Sequence, residues 1–102
     1  VLGETVPDSL LQALKALADP TRLKILRLIQ REPLGAAELA RQLRLRTPTV
    51  THHLQALRVA GLLRVQLPKE GSKEKSHYAL RLDAVSDVER MLRTYLNAKG
   101  HE

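Results

Sequence analysis

The chain has 102 residues, 43% of them hydrophobic, and a formal net charge of +6. It contains no cysteine, tryptophan or phenylalanine and only two tyrosines, Tyr78 and Tyr95; this excludes disulfides, thiolate metal centres and cysteine nucleophiles, and makes any core aliphatic. No apolar run approaches the roughly 20 residues that span a bilayer and no signal peptide is visible, so the expectation is a cytoplasmic protein with no membrane role and an anionic partner, nucleic acid first.

Asp8 or Ser9 is placed to cap a first helix, in which Leu10, Leu14 and Leu17 fall on one stripe with Leu11 beside it. Asp19-Pro20 breaks that helix, and Pro20-Thr21 opens a second, because proline is tolerated in a first turn. Ile25, Leu26, Leu28 and Ile29 form a wide apolar face there, the mark of a central helix packed on several neighbours. Glu32-Pro33-Leu34-Gly35 ends it. A short helix follows over Ala36 to Leu43, with Leu39, Ala40 and Leu43 inward. Arg44-Leu45-Arg46 reads as a turn, with Thr47 as N-cap and Pro48 in the first turn of a helix that runs to Ala60. Gly61 stands where a C-terminal cap belongs.

The period then changes. Leu63, Val65 and Leu67 alternate with Arg64 and Gln66, a strand with one wet face. Pro68 to Lys75 is polar and contains Gly71-Ser72, a hairpin signal. Tyr78, Leu80 and Leu82, alternating with His77, Ala79 and Arg81, give the return strand. Asp83 is placed to cap a last helix with the stripe Val85, Val88, Leu92 and Leu96, widened by Met91 and Tyr95; Ala98 to Glu102 reads as a frayed end. No repeat or linker divides the chain, so residues 1–102 are expected to form a single domain, and the start at Val1 rather than Met is consistent with a processed form or a piece of a longer chain. The fold class is α+β, mainly helical: a helix-turn-helix followed directly by a two-stranded hairpin, which is the winged-helix order.

On a helical wheel over residues 47 to 60, Val50, Leu54 and Leu57 cluster on one side with His53 at its edge. Pro48, Thr51, His52, Gln55 and Val59 point away. Gln55 is suited to a bidentate pair with adenine, and Thr51 to a base edge or a thymine methyl. Thr47, Thr51, His52 and Gln55 are therefore the expected base contacts, and His53 a packed or capping residue. Thr47 and Thr49 also suit phosphate through their hydroxyls and the free amides of a helix start. No acid occurs from Thr47 to Ala60, and Arg41, Arg44, Arg46, Arg58 and Arg64 flank the segment. Arg44, Arg46 and Arg58, with Lys69, Lys73 and Lys75 of the hairpin loop, join Thr49 as expected phosphate contacts, although Glu70 and Glu74 dilute the charge of the loop. The expected partners are double-stranded DNA and a second copy of the chain. Leu10, Leu14 and Leu17 of the first helix and Val88, Leu92, Tyr95 and Leu96 of the last are the expected dimerisation residues, since a small aliphatic core is marginal by itself.

The segment Ala16-Leu17-Ala18-Asp19-Pro20-Thr21-Arg22-Leu23-Lys24-Ile25-Leu26 resembles the ArsR/SmtB family of bacterial repressors. The resemblance continues through Glu38-Leu39-Ala40, Pro48-Thr49-Val50-Thr51-His52-His53-Leu54 and Leu57-Arg58-Val59-Ala60-Gly61-Leu62, about half the chain in family order. It implies a homodimeric winged-helix transcription factor, usually a repressor, with residues 47 to 58 as reading helix, residues 68 to 75 as wing, and dimerisation through the first and last helices. The chain departs from the family in three ways. The cysteine positions of the metal-sensing members are Gly35 and Ala37 here, and the last helix offers Asp83, Asp87 and Glu89 but no histidine before His101, so no metal site and no cofactor are expected. Arg46 replaces the usual capping serine, and the wing is longer than is common. Two other functions compete with this one: a winged-helix module that binds protein, its basic face being incidental, and an enzyme. Of the four histidines, His52 and His53 sit in the reading helix and His77 and His101 outside it, and no nucleophile, base and orienting group come together, so no enzyme is expected.

Overall fold

The computed structural model describes residues 5–73 and 75–98. Its elements follow the order α1 (Asp8–Leu17), α2 (Pro20–Arg31), α3 (Ala36–Leu43), α4 (Thr47–Val59), β1 (Leu63–Gln66), β2 (His77–Leu80) and α5 (Leu82–Leu96). This is the expected mainly helical α+β arrangement. The core is aliphatic, with Leu10, Ile25, Leu39, Val50, Leu54, Leu57 and Leu62 almost fully enclosed and no buried polar side chain among the described residues. α2 lies at its centre, in contact with α1, α4 and β2, and buries Ile25, Leu26 and Ile29.

Three helix starts differ from expectation by one or two residues. α1 is capped by Pro7, whose carbonyl accepts from Leu11 N–H at 3.1 Å, and neither Asp8 nor Ser9 supplies a side-chain cap. Arg46, not Thr47, is the half-helical residue before α4: its carbonyl accepts from the N–H groups of Thr49 and Val50 at 3.0 and 3.2 Å. Asp83 lies one residue inside α5; Arg81 carries the cap position, and Asp83 instead takes the Arg81 guanidinium at 3.0 Å. The one acidic side-chain cap formed among the described residues is Asp19 on α2, whose Oδ1 accepts from Arg22 N–H at 3.1 Å ahead of Pro20.

Two left-handed residues close the helix-turn-helix. Arg44 (φ 57°, ψ 44°) ends α3, with Leu45 N–H donating to the Ala40 carbonyl at 2.9 Å. Gly61 (φ 78°) ends α4 as expected, and Leu62 N–H returns to the Leu57 carbonyl at 3.0 Å. Both are Schellman closures; only Gly61 lacks the Cβ that makes this conformation costly.

β1 and β2 pair antiparallel, Leu63 opposite Leu80 and Gln66 opposite His77. Both strands are shorter than the alternation predicts. Leu67 leaves the ladder before Pro68 and is 80% exposed, and Leu82 belongs to the first turn of α5. Leu34 adds a third, one-residue rung that sequence reading missed, exchanging two hydrogen bonds with Tyr78 at 2.8 and 3.2 Å. β2 is thus a middle strand, and Ala79, which alternates with Tyr78 and Leu80, is buried. The hairpin loop turns at Lys69–Ser72, closed by Ser72 N–H to the Lys69 carbonyl at 2.9 Å with Gly71 at φ 81°.

α5 packs on α1, but not along the expected stripe. Val88 is buried and Ala84, Val85, Met91 and Tyr95 pack against the core, whereas Leu92 (37%) and Leu96 (69%) are exposed. Lys99 to Glu102, including His101, and the segment before Thr5 lie outside the described residues, as does Glu74 of the loop.

Candidate nucleic-acid interface

α4 is held from beneath by Val50, Leu54 and Leu57, all buried, and braced by α3 across the Arg44 turn. That fixes its opposite face outward. Thr47, Thr49, Thr51, His52, Gln55 and Arg58 are all exposed. The adjacent histidines separate by environment: His52 is exposed, while His53 is half-buried and its Nδ1 accepts a hydrogen bond from Arg22 Nε at 3.1 Å. That bond ties α4 to the start of α2, and it requires His53 Nδ1 to be the unprotonated ring nitrogen. The two imidazoles sit edge to face, 6.0 Å apart.

The charges around this helix sort into two sets. Arg41, Arg81 and Arg90 are neutralised by Glu38, Asp83 and Asp87, and Gln42 adds a 2.8 Å hydrogen bond to Glu38. Arg44, Arg46, Arg58, Arg64, Lys69, Lys73 and Lys75 form no ion pair among the described residues, and all of them are exposed. Residues 39–69 contain no acid. These seven lie on the helix-turn-helix turn, the end of α4, β1 and the hairpin loop; Lys15, Arg22, Lys24, Arg27, Arg31 and Arg93 on α1, α2 and α5 also form no ion pair among the described residues. Arg46 at the cap position makes no side-chain cap bond, so the start of α4 offers its first amide and an arginine where an acidic or hydroxyl cap would otherwise stand.

The expected dimerisation residues divide. Leu10 and Val88 are inside the protomer core and are not available to a partner. Leu14, Leu17 and Tyr95 are half-buried against that core, and Leu92 and Leu96 remain exposed. Among the described residues no three His, Asp or Glu side chains gather as a metal site, and no helix is long and apolar enough to cross a membrane.

Sequence reasoning missed Arg22 as a partner of α4. Arg22 and His53 stand 31 positions apart in the chain, and no periodicity over that distance could have announced the bond.

A short helix, a left-handed turn, a second helix and a hairpin flanked by the Leu34 bridge together define a winged helix-turn-helix protein. A family model described as a helix-turn-helix domain matches residues 17–66. An HTH-type transcriptional regulator of Methanocaldococcus jannaschii is 41% identical over 64 residues, 63% of this chain and 67% of that protein. An ArsR-like transcriptional regulator from Rhodococcus sp. RHA1 superimposes with a TM-score of 0.74 at 25% identity, covering 85% of this chain and 78% of that one. A homodimeric winged helix-turn-helix DNA-binding domain from Mycobacterium bovis has a TM-score of 0.68 at 22% identity over 100% and 96% of the two chains, a likeness of fold. The chain belongs to the family of HTH-type transcriptional regulators, and its fold matches ArsR-like members closely.

Proposed function

We propose that the protein is a dimeric, sequence-specific repressor that reads DNA with the outward face of α4 and holds the backbone with the turn and the wing. The observation that carries this reading is the exposed row Thr51, His52 and Gln55 on an acid-free helix, ringed by cations without ion-pair partners among the described residues. Gln55 and Thr51 supply base-edge hydrogen bonds, with Thr47 and His52 beside them. Arg44, Arg46, Arg58, Thr49 and the lysines Lys69, Lys73 and Lys75 meet phosphates, which sets register without reading sequence.

Dimerisation is supported by what the protomer leaves uncovered. Leu92 and Leu96 on α5, with the half-buried edges of Leu14, Leu17 and Tyr95, supply the apolar face. A two-fold pair would present two α4 helices to half-sites about one helical turn apart. Repression follows from such a dimer occupying promoter DNA, and it does not depend on metal, since Gly35 and Ala37 carry no ligand atoms.

Fluorescence anisotropy with the chain's own promoter fragment, against random DNA at several salt concentrations, tests the reading. The expected result is tighter binding to the promoter at every salt concentration, with affinity falling steeply as salt rises. Equal affinity for both DNAs at moderate salt would refute sequence-specific regulation.

A further inference from the structure

α1 and α4 face each other across a groove of about 380 Å³ that the DNA-reading role does not explain. Its lining is mainly apolar: Ala16, Ala56 and Ala60 present only small side chains, and Val59 stands 69% exposed. The same lining carries Lys15, Arg22 and His52, and no carboxylate. Arg22 is oriented by its Nε bond to His53, and its Nη groups make no ion pair among the described residues. Asp19, the acid beside it, is engaged with Arg22 N–H as the cap of α2. Lys15 likewise has no ion-pair partner among the described residues.

We propose that this groove binds a small amphipathic carboxylate, its apolar body against Ala16, Ala56 and Val59 and its charge on Arg22 and Lys15, and that occupancy competes with DNA. A phosphate backbone would gain nothing from the valine and alanine wall. A second copy of the same groove would set cations against cations. His52 and Gln55 line the groove and also stand on the reading face, so a ligand there withdraws them from base edges, and DNA and ligand weaken each other's binding by the same factor. The competition rests on the DNA-reading role proposed above; the binding site does not.

The test titrates the ¹⁵N-labelled full chain, free of DNA, with 1-naphthoate, and in parallel with uncharged 1-naphthamide and cationic 1-naphthylmethylamine. The expected result is saturable amide shifts at Ala16, Ala56, Val59 and Ala60, with the amide and the amine at least about tenfold weaker, as expected when one charge-assisted hydrogen bond is removed. Lys15→Glu and Val59→Asp, both at exposed positions, should each weaken naphthoate binding without altering the rest of the spectrum. Equal binding of the three probes, shifts centred on Leu92 and Leu96, or no shifts would overturn the site. Naphthoate should then release promoter DNA from the wild-type complex. Binding at the groove without release would overturn the competition. A chain that takes naphthoate but never prefers its promoter would refute the DNA-reading role and leave the groove standing.

Discussion

Arg44 holds a left-handed backbone (φ 57°) at the turn between α3 and α4, where glycine would avoid a strain of about 1 kcal/mol. An exposed arginine with no ion-pair partner among the described residues is kept there, in the turn that faces the proposed DNA. Arg44→Gly should therefore raise stability by up to about 1 kcal/mol in urea melts, while lowering DNA affinity equally for all sequences and reducing the log–log salt slope by about 0.9. Asp19 works in the opposite sense. The backbone N–H of Arg22 on its carboxylate holds its pKa below the ordinary 3.8. A carboxyl depressed by folding stabilises the native state above its unfolded pKa, and that contribution is lost as pH falls through the folded value. Asp19→Asn keeps an oxygen for the cap but does not titrate, so its thermal melts should lose less stability than wild type on moving from neutral to acidic pH. An unchanged acid limb would count against the Asp19 cap as a pH-dependent element. At this scale the outward placement of Thr51, His52 and Gln55 was legible from the wheel, because one helix's geometry decides it. The Arg22–His53 bond and the groove were not, because they join residues of different helices.

Among elements, α4 and the wing divide the proposed work between sequence and charge. Replacing Lys69, Lys73 and Lys75 together by Gln should make the salt dependence shallower by about 0.9 for each phosphate no longer neutralised, with the promoter-to-random affinity ratio unchanged; a collapse of that ratio would assign base reading to the wing. The scaffold under α4 is tested separately. Leu54 is almost fully buried, and Leu54→Ala should cost about 2–5 kcal/mol, visible as a large fall in the urea midpoint. The identity and order of the helices and strands could be read from periodicity and from Pro and Gly positions. Their ends could not: Leu67 and Leu82 continue a period-two pattern, but Pro68 and the first turn of α5 remove them from the ladder. The Leu34 rung was hidden because a single residue between a proline and a glycine has no period. In α5 both a Val85–Val88–Met91–Tyr95 face and a Leu92–Leu96 face are apolar, and only the packing on α1 decides which one the protomer buries.

In the whole molecule, the exposed pair Leu92 and Leu96 on the outer side of α5 is where a second copy is expected. Leu92→Glu combined with Leu96→Glu should yield a folded monomer by light scattering, with affinity for a two-half-site promoter sharply reduced. A double variant that stays dimeric would move the interface elsewhere. The architecture is that of ArsR-like regulators; Gly35 and Ala37 carry no metal-ligating side chain, and the ligand proposed for the α1–α4 groove is organic. Whether the outward face of α4 reads sequence is decided by the ratio of dissociation constants for promoter and scrambled DNA, measured for wild type and for Thr51→Ala/His52→Ala/Gln55→Ala. Discrimination should fall by about 1–3 kcal/mol for each base-edge interaction removed, while binding to scrambled DNA and the thermal midpoint change little; a ratio equal to wild type would show that these side chains do not read the bases.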